Sequence, residues 1–140
     1  MHLASLLGGR FSIISAGPAE RHPSQRRRVY DQLKTYALDH KCASVRPVSI
    51  SVPDVAGDED EVRIRLSTQV RAAIEKDGAD VVIVGCGLIL GVEKAISEEL
   101  NVPIIVPGIA ALKVCELLID MGLKQSKLCF AFPPEKERKR

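Results

Sequence analysis

The sequence predicts an α/β fold of three layers, in which helices cover both faces of a mainly parallel sheet of four or five strands. Two observations favour this class. Short runs of β-branched residues alternate with segments whose apolar residues recur at helical spacing, and such alternation is typical of parallel sheets with right-handed crossovers. Residues 81–84 are four consecutive valines and isoleucines, as expected of a strand buried on both faces.

The predicted elements follow one another as strand, helix, strand, helix. The first strand lies at 11–15 and ends at the turn residues Gly17 and Pro18. The second lies at 45–52, where Pro47 indicates an edge position or an irregular start. The helices that follow these two strands have apolar positions at Val29, Leu33, Tyr36 and Ala37, and at Val62, Leu66, Val70, Ala73 and Ile74.

The same alternation continues in the second half of the chain. Gly78 is expected to cap the preceding helix, residues 79–84 form the central strand, and 102–106 form another strand. The apolar run 128–132 is predicted as a last strand, and Gly122 ends the helix before it. The apolar stripes of the last two helices are Val92, Ala95, Ile96 and Leu100, and then Ala111, Val114, Cys115 and Leu118.

Length and composition are those of one globular domain. The 140 residues include 46% apolar and 27% charged side chains, which is ordinary globular usage and excludes a disordered body. The longest uncharged apolar stretch, 81–92, is too short for a membrane span of about 20 residues, and Leu3 to Leu7 is too short for a signal sequence. Four widely spaced cysteines form no disulfide framework, so we expect a cytoplasmic protein without a membrane partner.

The basic residues are concentrated at the carboxyl end. Residues 135–140 hold four basic and two acidic side chains, which leaves 16 of each in the rest of the chain. A body without net charge lacks the broad basic face of a nucleic-acid-binding protein. We therefore predict one α/β domain over residues 1–132, a basic disordered tail over 133–140, and no nucleic-acid partner.

Ligands of open parallel sheets bind just beyond the carboxyl ends of the strands. Among the four strand ends, at 15–17, 53–55, 85–87 and 107–108, only the third contains a reactive side chain, Cys86. A helix begins shortly after it, and a helix N-terminus favours a thiolate. The flanking Gly85 and Gly87 let a ligand approach the backbone closely. A cysteine that only fills buried space fits this position equally well, so both interpretations stay open at this point.

The other three cysteines are predicted to be structural. Cys115 lies on the apolar face of a helix, Cys129 lies in the last apolar run, and Cys42 precedes a strand, at the opposite rim from the expected site. The sequence has no Cys-x-x-Cys pair, and its three histidines are dispersed. We therefore expect no metal site.

Residues 85–91 also form a glycine-rich loop between a strand and a helix, as in phosphate-binding loops. The glycine spacing has one residue more than the dinucleotide motif, and Val106 and Pro107 stand where an acidic residue is expected. A phosphate- or nucleotide-binding α/β domain therefore stays as one alternative function.

A further pattern extends over nearly the whole chain. Its most specific stretch is Gly-Ala-Asp-Val-Val-Ile-Val-Gly-Cys at 78–86, and other matching stretches lie at 2–14, 42–46, 102–105, 110–111, 126–127 and 133–134. With these stretches the chain resembles the carboxyl half of the hydantoin racemase branch of the aspartate/glutamate racemase superfamily.

This resemblance implies one half of a pseudo-symmetric fold and a cofactor-independent racemase or epimerase. The substrate would be a hydantoin-like or amino-acid-like small molecule that reacts at the carbon next to a carbonyl. In this family two cysteines, one from each half, face each other across the substrate, and Cys86 matches the second of them. We expect Cys86 to be the catalytic acid and base, with the substrate bound by Gly85, Gly87, Ser15 and Ala16.

The chain departs from the family pattern near the expected pocket. Ser15 and Ala16 stand where two threonines are usual, residues 87–89 differ from the usual Ala-Gly-Met, and Val106 stands where an aspartate is frequent. No stretch of these 140 residues matches the family's first half with its cysteine. We therefore expect a homo-oligomer or a separately encoded first half as partner, and a non-catalytic binding or assembly half-domain is the second alternative function.

Overall fold

The computed structural model describes residues 1–17, 21–49, 59–86 and 91–134. The chain forms two compact units, Met1–Ala110 and Ala111–Arg140. The elements in chain order are α1 (His2–Leu7), β1 (Phe11–Ala16), α2 (His22–Thr35), a 3₁₀ turn (Asp39–Lys41), β2 (Cys42–Val48), α3 (Glu59–Glu75), β3 (Val81–Val84), α4 (Val92–Leu100), β4 (Ile104–Ile105) and α5 (Pro107–Asp120).

Four parallel strands form the sheet of the first unit, in the order β2-β1-β3-β4. The side chains of β3 alternate between its two faces. Val82 and Val84 belong to a core with α3 and α4, whereas Val81 and Ile83 belong to a core with α1 and α2. The three-layer fold predicted from the sequence is therefore confirmed, and β3 is buried on both faces as its β-branched run indicated.

The predicted stripe of α3 is also confirmed. Its first four positions are buried, and Ile74 packs at the edge of the same core. Gly78 has a φ of +71° and donates its N–H to the Ile74 carbonyl at 3.2 Å, so it caps the helix as predicted.

The first predicted helix is shorter than its apolar spacing indicated. Helix α2 ends at Thr35, and Tyr36 is 51% exposed, so Tyr36 and Ala37 do not belong to its buried face. Ala37 adopts a left-handed conformation with a φ of +53°. This turn lets the N–H of Leu38 donate to the Leu33 carbonyl, and Leu38 takes the buried place instead.

Two strands also differ from their predicted limits. Strand β2 begins at Cys42 and ends at Val48, and Pro47 lies in it as an edge-strand residue. The predicted continuation at 50–52 lies outside the described residues. Strand β4 has only two residues because Pro103 precedes it and Pro107 already begins α5.

Helix α1 was not among the predicted elements. Its Ala4 is buried in the sheet's core. The chain between α1 and β1 is held by Asp80, whose carboxylate accepts the N–H groups of Gly9 at 2.8 Å and Arg10 at 3.0 Å. None of the described helices has both the length and the apolar character that a membrane crossing requires.

The second unit contradicts two predictions. Residues 128–132 are a turn and irregular chain, not a strand, and Phe130 donates its N–H to the Ser126 carbonyl. The predicted buried stripe of α5 is exposed throughout. Leu112, Leu117 and Ile119 flank this stripe on both sides, and the polar face is a narrow one formed by Lys113, Glu116 and Asp120, so the pattern does not single out one buried face. Gly122, with a φ of +65°, follows the helix end as expected.

The chain passes close to β1 at Gly85, directly after β3. Its N–H donates to the Ile14 carbonyl at 2.6 Å. A Cβ atom at position 85 would lie 3.0 Å from that carbonyl oxygen and 3.4 Å from the Ser15 Cα. Because both neighbours are backbone atoms inside a sheet, neither moves freely, and only glycine permits this approach.

An ion pair ties β2 to the loop that precedes β3. The Arg46 guanidinium donates two hydrogen bonds to Asp77, from Nε to Oδ2 at 2.5 Å and from Nη2 to Oδ1 at 2.9 Å. Both side chains are about four-fifths buried. The hydrogen bonds from Arg46 lower the pKa of Asp77 below its ordinary value of 3.8.

We expect Gly85→Ala to lower the free energy of unfolding by about 1–3 kcal/mol, the usual cost of forcing an extra carbon into a packed site. Urea unfolding followed by circular dichroism measures this. Gly108→Ala is the matched control, because nothing lies within 4 Å of its Cβ position and alanine favours a helix by about 1 kcal/mol over glycine. Equal stability of the Gly85 variant and the unmodified chain would contradict the close approach.

We expect the Arg46–Asp77 pair to make stability depend on pH. Since the pKa of Asp77 is lower in the folded chain, the pair stabilises the fold above the unfolded pKa, and this contribution is lost as the pH falls through the folded value. The free energy of unfolding, measured from neutral pH down to about pH 3, should fall less steeply for Asp77→Asn. Glu75→Gln, which removes an exposed pair with Arg71, is the control and should retain the unmodified slope.

Candidate active site

The register of the sheet brings the carboxyl ends of β1 and β3 side by side. Ile14 pairs with Val84, so that Ser15 and Ala16 lie beside Gly85, and Cys86 follows directly. Cys86 is half-buried and packs against the core formed with α3 and α4. Four of the five residues predicted for the site therefore lie at one edge of the sheet. Gly87 lies outside the described residues, as does the strand end at 53–55.

A glutamine on α2 organises the end of β1. The Ser15 hydroxyl donates to Gln25 Oε1 at 3.0 Å, and Gln25 Nε2 donates to the Ala16 carbonyl at 3.4 Å. At Gly17, with a φ of +136°, a Cβ atom would lie 2.8 Å from Gln25 Nε2. The carboxamide thus holds the chain in the turn after β1. Sequence analysis missed Gln25, although its place in the first turns of the helix after β1 was a usable signal.

An open cleft of about 230 Å³ lies beside these groups. Its floor is the end of β1 together with Gly85, and its wall is one side of α2. No acidic side chain lines it among the described residues. The lining residues are Ser15, Ala16, Gln25, Arg28, Val29, Gln32 and Gly85.

A buried carboxylate lies where the glycine-rich loop joins α4. Glu93 is 7% exposed, and its Oε2 accepts the N–H of Gly91 at 2.6 Å. This side chain therefore occupies a donor at the helix N-terminus that a bound phosphate would use. Residues 87–90 of the loop lie outside the described residues. A negative charge at this point disfavours the phosphate- or nucleotide-binding alternative.

The other three cysteines differ from one another. Cys42 is buried at the amino end of β2, at the rim opposite Cys86 as predicted, and its burial raises the pKa of its thiol. Cys115 and Cys129 are exposed, so the prediction that they are buried structural residues was wrong. Their apolar neighbours in sequence suggested burial, but those neighbours are exposed as well. Within the described ranges no three histidine, cysteine or acidic side chains cluster to hold a metal ion.

Sequence comparison relates the chain to racemases. The model of the family described as Asp/Glu/Hydantoin racemase matches residues 1–115. Hydantoin racemases from Paenarthrobacter aurescens and Pseudomonas sp. (strain NS671) are each 28% identical to this chain over 138 residues. These matches cover 98% of this chain but 56% and 53% of the two relatives. The chain thus spans about half the length of the curated relatives that it matches.

Solved structures agree with this relationship. An allantoin racemase from Pseudomonas fluorescens matches with a TM-score of 0.80 and 28% identity, over 99% of this chain and 57% of that chain. An allantoin racemase from Klebsiella pneumoniae matches with a TM-score of 0.83 over 99% of this chain and 55% of its own; at 24% identity this match supports the fold alone. Because the family model covers most of the chain, the protein belongs to the Asp/Glu/hydantoin racemase family, in its hydantoin racemase branch.

Proposed function

We propose that this chain contributes half of the active site of a cofactor-independent racemase or epimerase. The substrate is a hydantoin-like or amino-acid-like small molecule, and the reaction takes place at the carbon next to its carbonyl. The observation that carries the proposal is the position of Cys86 at the carboxyl end of the central strand, directly after Gly85 and beside the end of β1, in a member of a racemase family.

In this proposal Cys86 transfers the proton at the chiral carbon. As a thiolate it removes the proton, and as a thiol it returns one. Removal leaves negative charge on the neighbouring carbonyl oxygen, which backbone N–H groups around Gly87 and the Ser15 hydroxyl would stabilise. The Ser15 hydroxyl donates to Gln25 in the structure and would exchange that partner for the substrate. Gly85 and Ala16 complete the binding surface on this side.

Inversion of a carbon centre requires a second group on the opposite face of the substrate. Within the described part of the first unit no second thiol lies near Cys86, since Cys42 lies at the other rim. We therefore propose that the second face is supplied by a partner, either another copy of this chain or a separately encoded first half. As part of the same proposal we place the protein in the cytoplasm, because its four cysteines are free as in a reducing compartment.

One observation favours a second candidate function, a non-catalytic assembly half-domain. Ten large apolar side chains between residues 112 and 132 are 40% to 101% exposed. Apolar surfaces of this extent mark interaction sites in soluble proteins. An assembly module would use the same surface without needing Cys86, so activity measurements on Cys86 variants separate the two functions.

We expect the 140-residue chain alone not to racemise hydantoins or amino acids at a useful rate, because each general acid–base group contributes about 10² to 10⁴ in rate and the chain positions one of them. Deuterium uptake at the chiral carbon in D₂O, followed by NMR together with optical rotation, tests this. Exchange without inversion would show that Cys86 acts alone on one face, and Cys86→Ser should abolish it. Uptake with inversion that depends on Cys86 would contradict the expectation and indicate a self-sufficient enzyme.

We expect the chain to form at least a dimer, because the exposed apolar residues of the second unit gain free energy when a partner covers them. Light scattering at micromolar concentration gives the mass. Ile119→Lys should reduce the assembled fraction, whereas Ile64→Lys should not, since Ile64 is a similarly exposed isoleucine on α3. A monodisperse monomer of the unmodified chain would contradict self-association.

A further inference from the structure

We propose that Arg28 forms a carboxylate-binding subsite in the cleft beside Gly85. The substrate would then carry an anionic carboxylate apart from its reacting carbon. This inference rests on the proposed function, because it assigns a substrate class to the cleft beside Gly85, the residue directly before Cys86; Cys86 itself is not among the residues that line this cleft.

The position of Arg28 on α2 directs it to the cleft. Gln25, Arg28 and Gln32 are three and four residues apart and therefore share one side of the helix. This side lines the cleft at the ends of β1 and β3. Arg27, although adjacent in sequence, does not line that cleft; it lines a separate open depression together with Tyr30. The two neighbouring arginines thus face different surroundings.

Arg28 also lacks an internal partner. Some arginines pair with carboxylates, as Arg46 does with Asp77 and Arg71 with Glu99, whereas Arg27, like Arg28, has no ion pair among the described residues. Arg28 makes no ion pair or hydrogen bond within the described residues, and no described acidic residue lines its cleft. Among the described residues that line the cleft, Arg28 is the one with a charged side chain.

The chemistry of these groups fits a carboxylate. A guanidinium is a planar, permanently charged donor that matches the two oxygens of a carboxylate. Gln25 Nε2 donates to the Ala16 carbonyl, which anchors that side of the cleft, and the exposed Gln32 carboxamide adds a neutral donor.

Calorimetric titration of the full chain tests the subsite with three ligands. These are a hydantoin with a carboxymethyl side chain, its carboxamide isostere, and free aspartate. We expect the carboxylate hydantoin to bind about fivefold or more tightly than the carboxamide, as for an exposed but bidentate charge pair, and the difference to shrink as salt is added. Tighter binding of aspartate than of the carboxymethyl hydantoin would assign the anion to an amino acid rather than to a hydantoin side chain.

Variants separate Arg28 from the general charge of α2. Arg28→Gln should remove the preference for carboxylate, Arg28→Lys should retain part of it, and Arg27→Gln should leave it unchanged. Circular dichroism should show the same fold for all three, because both arginines are exposed. Equal binding of carboxylate and carboxamide, an unchanged preference in Arg28→Gln, or no binding of any ligand at millimolar concentration would overturn the subsite.

This titration measures binding without turnover, so that it is independent of the proton-transfer proposal. A chain that prefers carboxylates through Arg28 but never exchanges the proton at the chiral carbon would retain the subsite and refute the proposed function. Proton exchange that depends on Cys86 but does not depend on substrate charge would support the proposed function and refute the carboxylate subsite.

Discussion

The parallel pairing of β3 with β1 determines where every group of the candidate site lies. The four pairs from Phe11↔Val81 to Ile14↔Val84 fix the register, and the Gly85 N–H continues the ladder to the Ile14 carbonyl. Because β3 is apolar on both faces, burial alone does not distinguish this register from one shifted by one residue. The Asp80 carboxylate, which accepts the N–H groups of Gly9 and Arg10, anchors one end of the strand, and the close approach of Gly85 to the Ile14 carbonyl anchors the other. These anchors place Cys86 next to the end of β1.

Local apolar patterns were sufficient to predict the elements that form the core. The stripe of α3 can be identified from sequence by its helical period, and the run of β3 by its β-branched composition and its position between two helical segments. Four of the five predicted site residues followed from the same reasoning, since strand ends of a parallel sheet meet at one edge. Gln25 and Arg28 could not be found in this way. They are polar residues on a helix, and only the packing of α2 against β1 distinguishes the side that lines the cleft from the side that faces water.

The second unit shows where apolar patterns fail. The prediction for α5 took one stripe, with Cys115 in it, as the buried face of this chain. Leu112, Leu117 and Ile119 extend that stripe well beyond one face and leave a narrow polar strip, and an apolar surface this broad is normally covered by other protein. The run 128–132 likewise had the composition of a strand, but short apolar runs are ambiguous, and these residues form a turn and irregular chain. For α5 and for the run 128–132, the sequence does not tell which protein surface covers the apolar side chains.

The candidate site and the exposed second unit lead to the same physical requirement. A cleft built from the ends of two strands and one helix encloses a ligand on one side only, whereas inversion at carbon needs groups on both sides. Closing a site also removes water, which strengthens the attraction between a guanidinium and a carboxylate. A partner that covers the apolar residues of the second unit would gain its binding free energy there, at a surface that need not contribute to catalysis. Assembly and chemistry can then be carried by different residues of this chain, with Cys86 acting on the reacting carbon, Arg28 on a remote charge, and α5 on the partner.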